Sequence, residues 1–232
     1  GYAWYVEMYI GLFLLIPFLN ILWKALETRG KRTALIITLI GLTVLPSTVP
    51  GFHLFGTKLD ILPDYWTAIY PLTFYFIGAY LREYPPKLTT WQKIVFAVAA
   101  TALPWALCFV KTRIDGSYAW YMMNGFSSLT AMLTGIAYFV LLADINPPRA
   151  VNAVIKQISL CSFEMYLFSY ITDKIVVSRI LGGAALNDSI LLLLIFVCSF
   201  IMSFVMSFVF RLVARPLSAW LVRTARKEKT SA

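Results

Sequence analysis

Two carboxylates sit in this chain where an apolar sequence tolerates them poorly. Glu7 lies in GYAWYVEMYIGLFLLIPFLN, directly ahead of an uncharged run from Met8 to Trp23. Glu164 lies in ISLCSFEMYLFSYITDKI, among Cys161, Phe163, Met165 and Phe168. A carboxylate at or inside a membrane helix is costly unless it is paired or used. On a helix, Trp4, Ile10 and Gly11 share the face of Glu7, and Gly11 would let a neighbouring helix approach closely. Glu7 is therefore expected to face a bundle interior and to hydrogen-bond there, the alternative being a residue near the helix end that snorkels to the outer interface. Around Glu164 the same segment carries Ser159, Ser162, Tyr166, Ser169, Tyr170 and Thr172. A helix this rich in hydroxyls belongs inside a bundle or beside a water-filled cavity. The same groups would serve equally as hydrogen bonds between helices or as contacts to a polar ligand. Trp4, Glu7, Asp64, Tyr75, Glu164, Tyr166 and Ser169 are the candidate pocket residues.

Other chemistry finds little support. His53 is the single histidine, and no Ser, Asp or Cys stands at a recognisable triad spacing from it. Cys108, Cys161 and Cys198 each lie in an apolar run and read as small core residues. There is no Gly-rich phosphate loop, no metal-ligand spacing and no two-metal carboxylate pattern.

The elements that must position these residues follow from composition. Of 232 residues, 60% are hydrophobic and 13% charged, against roughly 25% charged in soluble domains. The mean hydropathy is +0.76. These values predict an all-α, polytopic membrane helix bundle. Seven apolar segments have spanning length: Trp4–Leu26, Thr33–Val49, Tyr65–Leu81, Trp91–Val110, Tyr121–Ala143, Ala153–Val177 and Ser189–Val213. Pro104 is expected to kink the fourth. The net charge of +9 lies in short blocks between these runs, the distribution of topology determinants and not of a nucleic-acid surface. RGKR at Arg29–Arg32 and RTAR at Arg223–Arg226 read as such anchors.

Fifteen of the twenty Lys and Arg lie in the connections after segments one, three and five and in the tail, or at the segment ends that border them. That bias predicts a cytoplasmic C-terminus, with residues 214–232 as a basic cytoplasmic tail of a single transmembrane domain over 1–232, and Gly1 outside. The outward loops STVPGFHLFGTKLDILPDYW and KTRIDGSYAWYMMNGF are aromatic, as lids, acceptor platforms or interfacial belts are. A chain that starts outside with neither Met nor a signal sequence implies an upstream part with an odd number of spans.

Three stretches carry a resemblance. WYVEMYIGLFLLIPFLN, KLDILPDYWTAIYPLTFYFIGAYLREYP and ISLCSFEMYLFSYITDKIV resemble, in order, helices of the acyltransferase 3 family of bacterial membrane proteins. The resemblance implies a ten-helix fold of which three N-terminal helices precede this chain. It implies a multi-pass enzyme of the inner membrane that moves an acyl group, commonly acetyl from acetyl-CoA, to a hydroxyl of a cell-surface or exported glycan. Its partners would be the lipid bilayer, the acyl-CoA donor and the glycan acceptor, with no bound cofactor, metal or nucleic acid.

The chain departs from the family pattern in two places. The family's acid–base histidine follows an Arg or Lys by eleven residues, whereas Leu42 stands eleven before His53. In the late helix Ser169 occupies the place of a customary histidine. Neither RGKR nor RTAR is taken as the family's Arg-x-x-Arg pair. The chain is therefore expected to supply scaffold and acceptor contacts and to be inactive alone. The rival reading, a transporter or flippase for a lipid-linked glycan, would use Glu7 and Glu164 as proton sites, but inverted repeats and paired broken helices are not visible. A seven-helix retinal protein lacks its lysine in the last span.

Overall fold

The computed structural model describes residues 4–52, 63–118, 125–180 and 187–230. Among them the regular structure is entirely helical. Seven α-helices follow in order: α1 (Trp4–Ala25), α2 (Arg29–Phe52), α3 (Tyr70–Glu83), α4 (Thr90–Asp115), α5 (Leu129–Leu142), α6 (Arg149–Ile175) and α7 (Asp188–Thr230). A 3-10 turn, Asp64–Ile69, leads into α3, and a π turn, Val176–Ile180, follows α6. The helices form two compact units, one from Trp4 to Ile145 and one from Asn146 onward.

Trp4–Ala25, Thr90–Asp115 and Ile190–Ala214 are long and apolar enough to cross a membrane. The expectation of seven spans is thus met for three of them by length and composition. Helices α2 and α6 are long enough, at 24 and 27 residues, but more polar. Helices α3 and α5 have 14 residues each, about 21 Å at 1.5 Å per residue against a hydrocarbon core of about 30 Å.

Local chemistry explains the short ones. The fifth segment was expected from Tyr121, which lies outside the described residues, yet α5 begins only at Leu129. The Ser128 side chain accepts a hydrogen bond from the Ala131 N–H at 3.2 Å and so caps the helix there. In the third segment Pro71 sits in the first turn of α3, where its missing N–H costs nothing. The seventh segment runs longer than expected, since α7 continues as helix through the basic stretch to Thr230.

Within the first unit, Leu19, Trp23, Leu39 and Phe76 form one core cluster and Val44, Ile77 and Met132 another. Thr43 and Thr73 meet between α2 and α3 at 2.8 Å, fully buried. Thr43 gives its proton to the Leu39 carbonyl at 2.8 Å, so Thr73 is the donor between them. Helix α4 opens with a capping box: Gln92 N–H donates to the Thr89 hydroxyl, and Thr89 N–H donates to Gln92 Oε1. It closes at Gly116, whose φ of 66° is left-handed and suits glycine. The helix runs through Pro104 unbroken. Pro104 has no N–H for the Ala100 carbonyl one turn back, and the Thr134 hydroxyl of α5 donates to that carbonyl at 3.0 Å instead. Ala97, Ala100 and Ala137 are small enough to bring α4 and α5 this close.

Candidate functional site

In the second unit α6 and α7 pack antiparallel, as their pairings show. Glu164 meets Arg211, Phe168 meets Phe210, and Thr172 meets Ser203, one number rising as the other falls. Arg211 Nε lies 3.2 Å from Glu164 Oε1. Arg211 also donates through Nη1 to the Leu160 carbonyl. The second carboxylate oxygen, Oε2, is buried and has no hydrogen-bond partner among the described residues. The charge that looked misplaced in the sequence is therefore compensated, but with acceptor capacity left over.

Two turns along, Thr172 and Ser203 are 2.6 Å apart. Thr172 donates to the Ser169 carbonyl, which leaves Ser203 as the donor to Thr172. Ser207 donates to the Ser203 carbonyl at 2.6 Å. Beside this layer lies a cavity of about 530 Å³ lined by Tyr166, Ser169, Asp173, Ser199 and Ser203 against Met165, Leu192, Ile195, Phe196 and Phe200. Tyr166, Ser169 and Asp173 stand at helical spacings that put them on one face of α6, and Ser199 and Ser203 do the same on α7. Ser199 is buried, and its hydroxyl has no hydrogen-bond partner among the described residues. The cavity is mostly apolar and aromatic, with a few hydroxyls and one carboxylate among its lining residues, the make-up of a small-molecule pocket.

Of the residues singled out by sequence, Tyr166 and Ser169 line this cavity and Glu164 lies on the same helix. The others belong to the first unit. Trp4 packs its ring on Phe126 at 4.9 Å between centroids. Tyr75 donates to Asn20 Oδ1 at 2.8 Å. Glu7 is exposed in the first turn of α1 and has no hydrogen bond or ion pair among the described residues. The interior, paired Glu7 expected from sequence is not seen among the described residues, where its side chain is exposed. Asp64 opens the 3-10 turn, its side chain outside the description, and His53 lies outside the described residues.

Sequence reasoning missed one cluster. Arg32, read as a topology anchor, is buried. It pairs with Glu83, donates to the Tyr84 hydroxyl at 2.9 Å and to the Trp23 carbonyl at 3.5 Å, and lies over the Trp23 ring at 4.9 Å. The Trp23 indole N–H donates to Glu83 Oε2 at 3.0 Å. Burial alone would raise the Glu83 carboxyl, but the hydrogen bonds from Trp23 and Arg32 outweigh it and hold the group below the usual carboxylate range. Arg29, one turn earlier, donates from Nε to the Tyr80 hydroxyl at 2.8 Å, which raises its guanidinium further. The signal for this cluster was the aromatic spacing of Trp23, Tyr80 and Tyr84 around basic residues, which matches the stacking preference of arginine.

The acyltransferase domain model of the acyltransferase 3 family matches residues 1–212. No curated protein and no solved structure matches the chain. With a family match over nearly its whole length and helices able to cross a bilayer, the chain belongs to the acyltransferase 3 family of membrane acyltransferases.

Proposed function

We propose that this chain works in O-acyl transfer from an acyl-CoA, acetyl-CoA in the simplest case, to a hydroxyl of a cell-surface or exported glycan at the inner membrane. The observation that carries the reading is the α6–α7 cavity, which brings Tyr166, Ser169, Asp173 and Ser199 together with Phe196 and Phe200. A sugar presents hydroxyls at its edges and C–H groups on its faces, and a wall of this mixed kind suits both. In the transfer the glycan oxygen attacks the thioester carbonyl carbon, a C–O bond forms, the C–S bond breaks and the CoA thiol leaves. The hydroxyl proton passes to a base. In this reading the base comes from helices of the protein beyond these 232 residues, and the basic segments, cytoplasmic by charge bias, lie on the side of the anionic donor.

The test uses the complete protein with labelled acetyl-CoA and its glycan. Ser199→Leu, which fills the cavity, should lower transfer by tenfold or more on the order of a lost positioning contact. Tyr166→Phe should raise KM more than it lowers kcat. The 232-residue chain alone should transfer nothing. Glycan translocation without acylation by the complete protein would instead support the flippase reading.

A further inference from the structure

Arg29 and Arg32 stand one turn apart, yet their situations are opposite. Arg32 is buried and engaged by Glu83, Tyr84 and Trp23. Arg29 is exposed and held only from one side: Nε donates to Tyr80, and the guanidinium lies 5.2 Å from the Tyr84 ring centroid. Its two terminal amino groups have no partner among the described residues. Tyr80, which orients it, is also a wall of a crevice of about 210 Å³ between α2, α3 and α5. Thr33 and Tyr80 form the end nearest Arg29, and Ile36, Ile40, Ile77 and Ile136 line the rest. From Thr33 to Ile40 the crevice follows α2 for about 10 Å at 1.5 Å per residue.

A guanidinium held on Tyr80, with donors free among the described residues and beside a slot walled by isoleucine and leucine, fits an anionic head on an apolar chain. We infer that this crevice binds an anionic phospholipid, its phosphate on Arg29 and an acyl chain along Ile36, Ile40 and Ile136. The free amino groups of Arg29 form a fork that matches two phosphate oxygens, and the isoleucine wall excludes a polar occupant. Basic pockets between membrane helices recognise acidic head groups in this way. An acyl-CoA shares the chemistry of anion plus chain, but for a protein that spans a bilayer the surrounding phospholipid is present at far higher local concentration. The inference stands apart from the acyl-transfer reading, because it requires only that the chain reside in a bilayer.

The experiment places the protein in nanodiscs of equal phosphatidylglycerol and phosphatidylcholine, and native mass spectrometry reads the lipids that stay bound. The wild type should retain phosphatidylglycerol over phosphatidylcholine by about fivefold, the value of one well-placed basic contact. Arg29→Gln should bring the ratio near one without lowering the total. Arg29→Lys, which keeps the charge and loses the fork, should keep part of the preference. Ile136→Trp, which fills the slot, should lower both lipids, and Arg113→Gln, at an exposed arginine over Phe109, should change nothing. An unchanged ratio in Arg29→Gln overturns the inference. So does displacement of the retained lipid by micromolar octanoyl-CoA, which would assign the crevice to the donor.

Discussion

The end of the α1–α2–α3 group and the α6–α7 pair each hold a buried or half-buried arginine against a glutamate, yet they leave different residues behind. Around Arg32 both Glu83 oxygens are taken, one by the arginine and one by Trp23, and among the described residues the Arg32 Nε is the buried atom left without a partner. Around Arg211 the pair is simpler, and Glu164 Oε2 and, further along, the Ser199 hydroxyl remain unpaired beside or near a cavity. An unpaired buried polar atom is destabilising, by about 1–3 kcal/mol. A fold keeps one where something else is gained. The first region spends its polar groups on holding three helices together; the second keeps some of them in reserve, which is what a binding site requires.

Breaking the first region should have the largest effect. Arg32→Ala leaves Glu83 and Trp23 without their centre and should lower the melting temperature in detergent by several degrees; Arg32→Lys should not restore it, because an ammonium cannot serve Glu83, Tyr84 and the Trp23 carbonyl together. A wild-type melting curve for Arg32→Ala would erase the contrast between the two regions. In the second region Arg211→Leu should cost about 1–3 kcal/mol by stranding the Glu164 carboxylate. The double variant Glu164→Leu/Arg211→Leu should recover most of that loss, as replaced ion pairs often do. Urea unfolding in mild detergent reads both.

A pH series sharpens the contrast further. The Glu83 carboxyl lies below the ordinary range when folded, so on acidification the unfolded chain takes up its proton first. The contribution to stability is whole above about pH 4.3, the usual glutamate value, and is lost as the pH falls through the lower folded value. Glu83→Gln should flatten that part of the stability profile. The last variant is Ser199→Ala: it removes a buried hydroxyl with no partner among the described residues, so stability should rise, by up to about 1–3 kcal/mol, while glycan affinity of the complete protein drops severalfold.

The helical class and the membrane setting were legible because apolar runs and sparse charge leave few alternatives. Glu164 was legible as a residue in need of a partner, and Tyr166 and Ser169 as its polar neighbours, because hydroxyls crowd one segment. Their partner Arg211 was not, since a basic residue at the end of an apolar run has the same pattern whether it anchors topology or reaches across to another helix. Arg32 was misread for that reason. Helix lengths failed where single side chains decide them: Ser128 starts α5 eight residues after Tyr121, and hydropathy does not register a cap. Glu7 was read as interior from its neighbours' sizes, but only packing tells which side of a helix is covered.

The hydrogen bond from Thr134 to the Ala100 carbonyl makes Pro104 a ratchet tooth. A proline in a membrane helix normally leaves a loose carbonyl that any nearby donor can claim. Here the claimant is fixed on another helix, and that helix is short enough to slide. A shift of α5 by one turn along α4, about 5.4 Å, would return the carbonyl to hydrocarbon with nothing to meet it. Misregistered packing of α4 against α5 is therefore penalised by a bare carbonyl that the correct register covers.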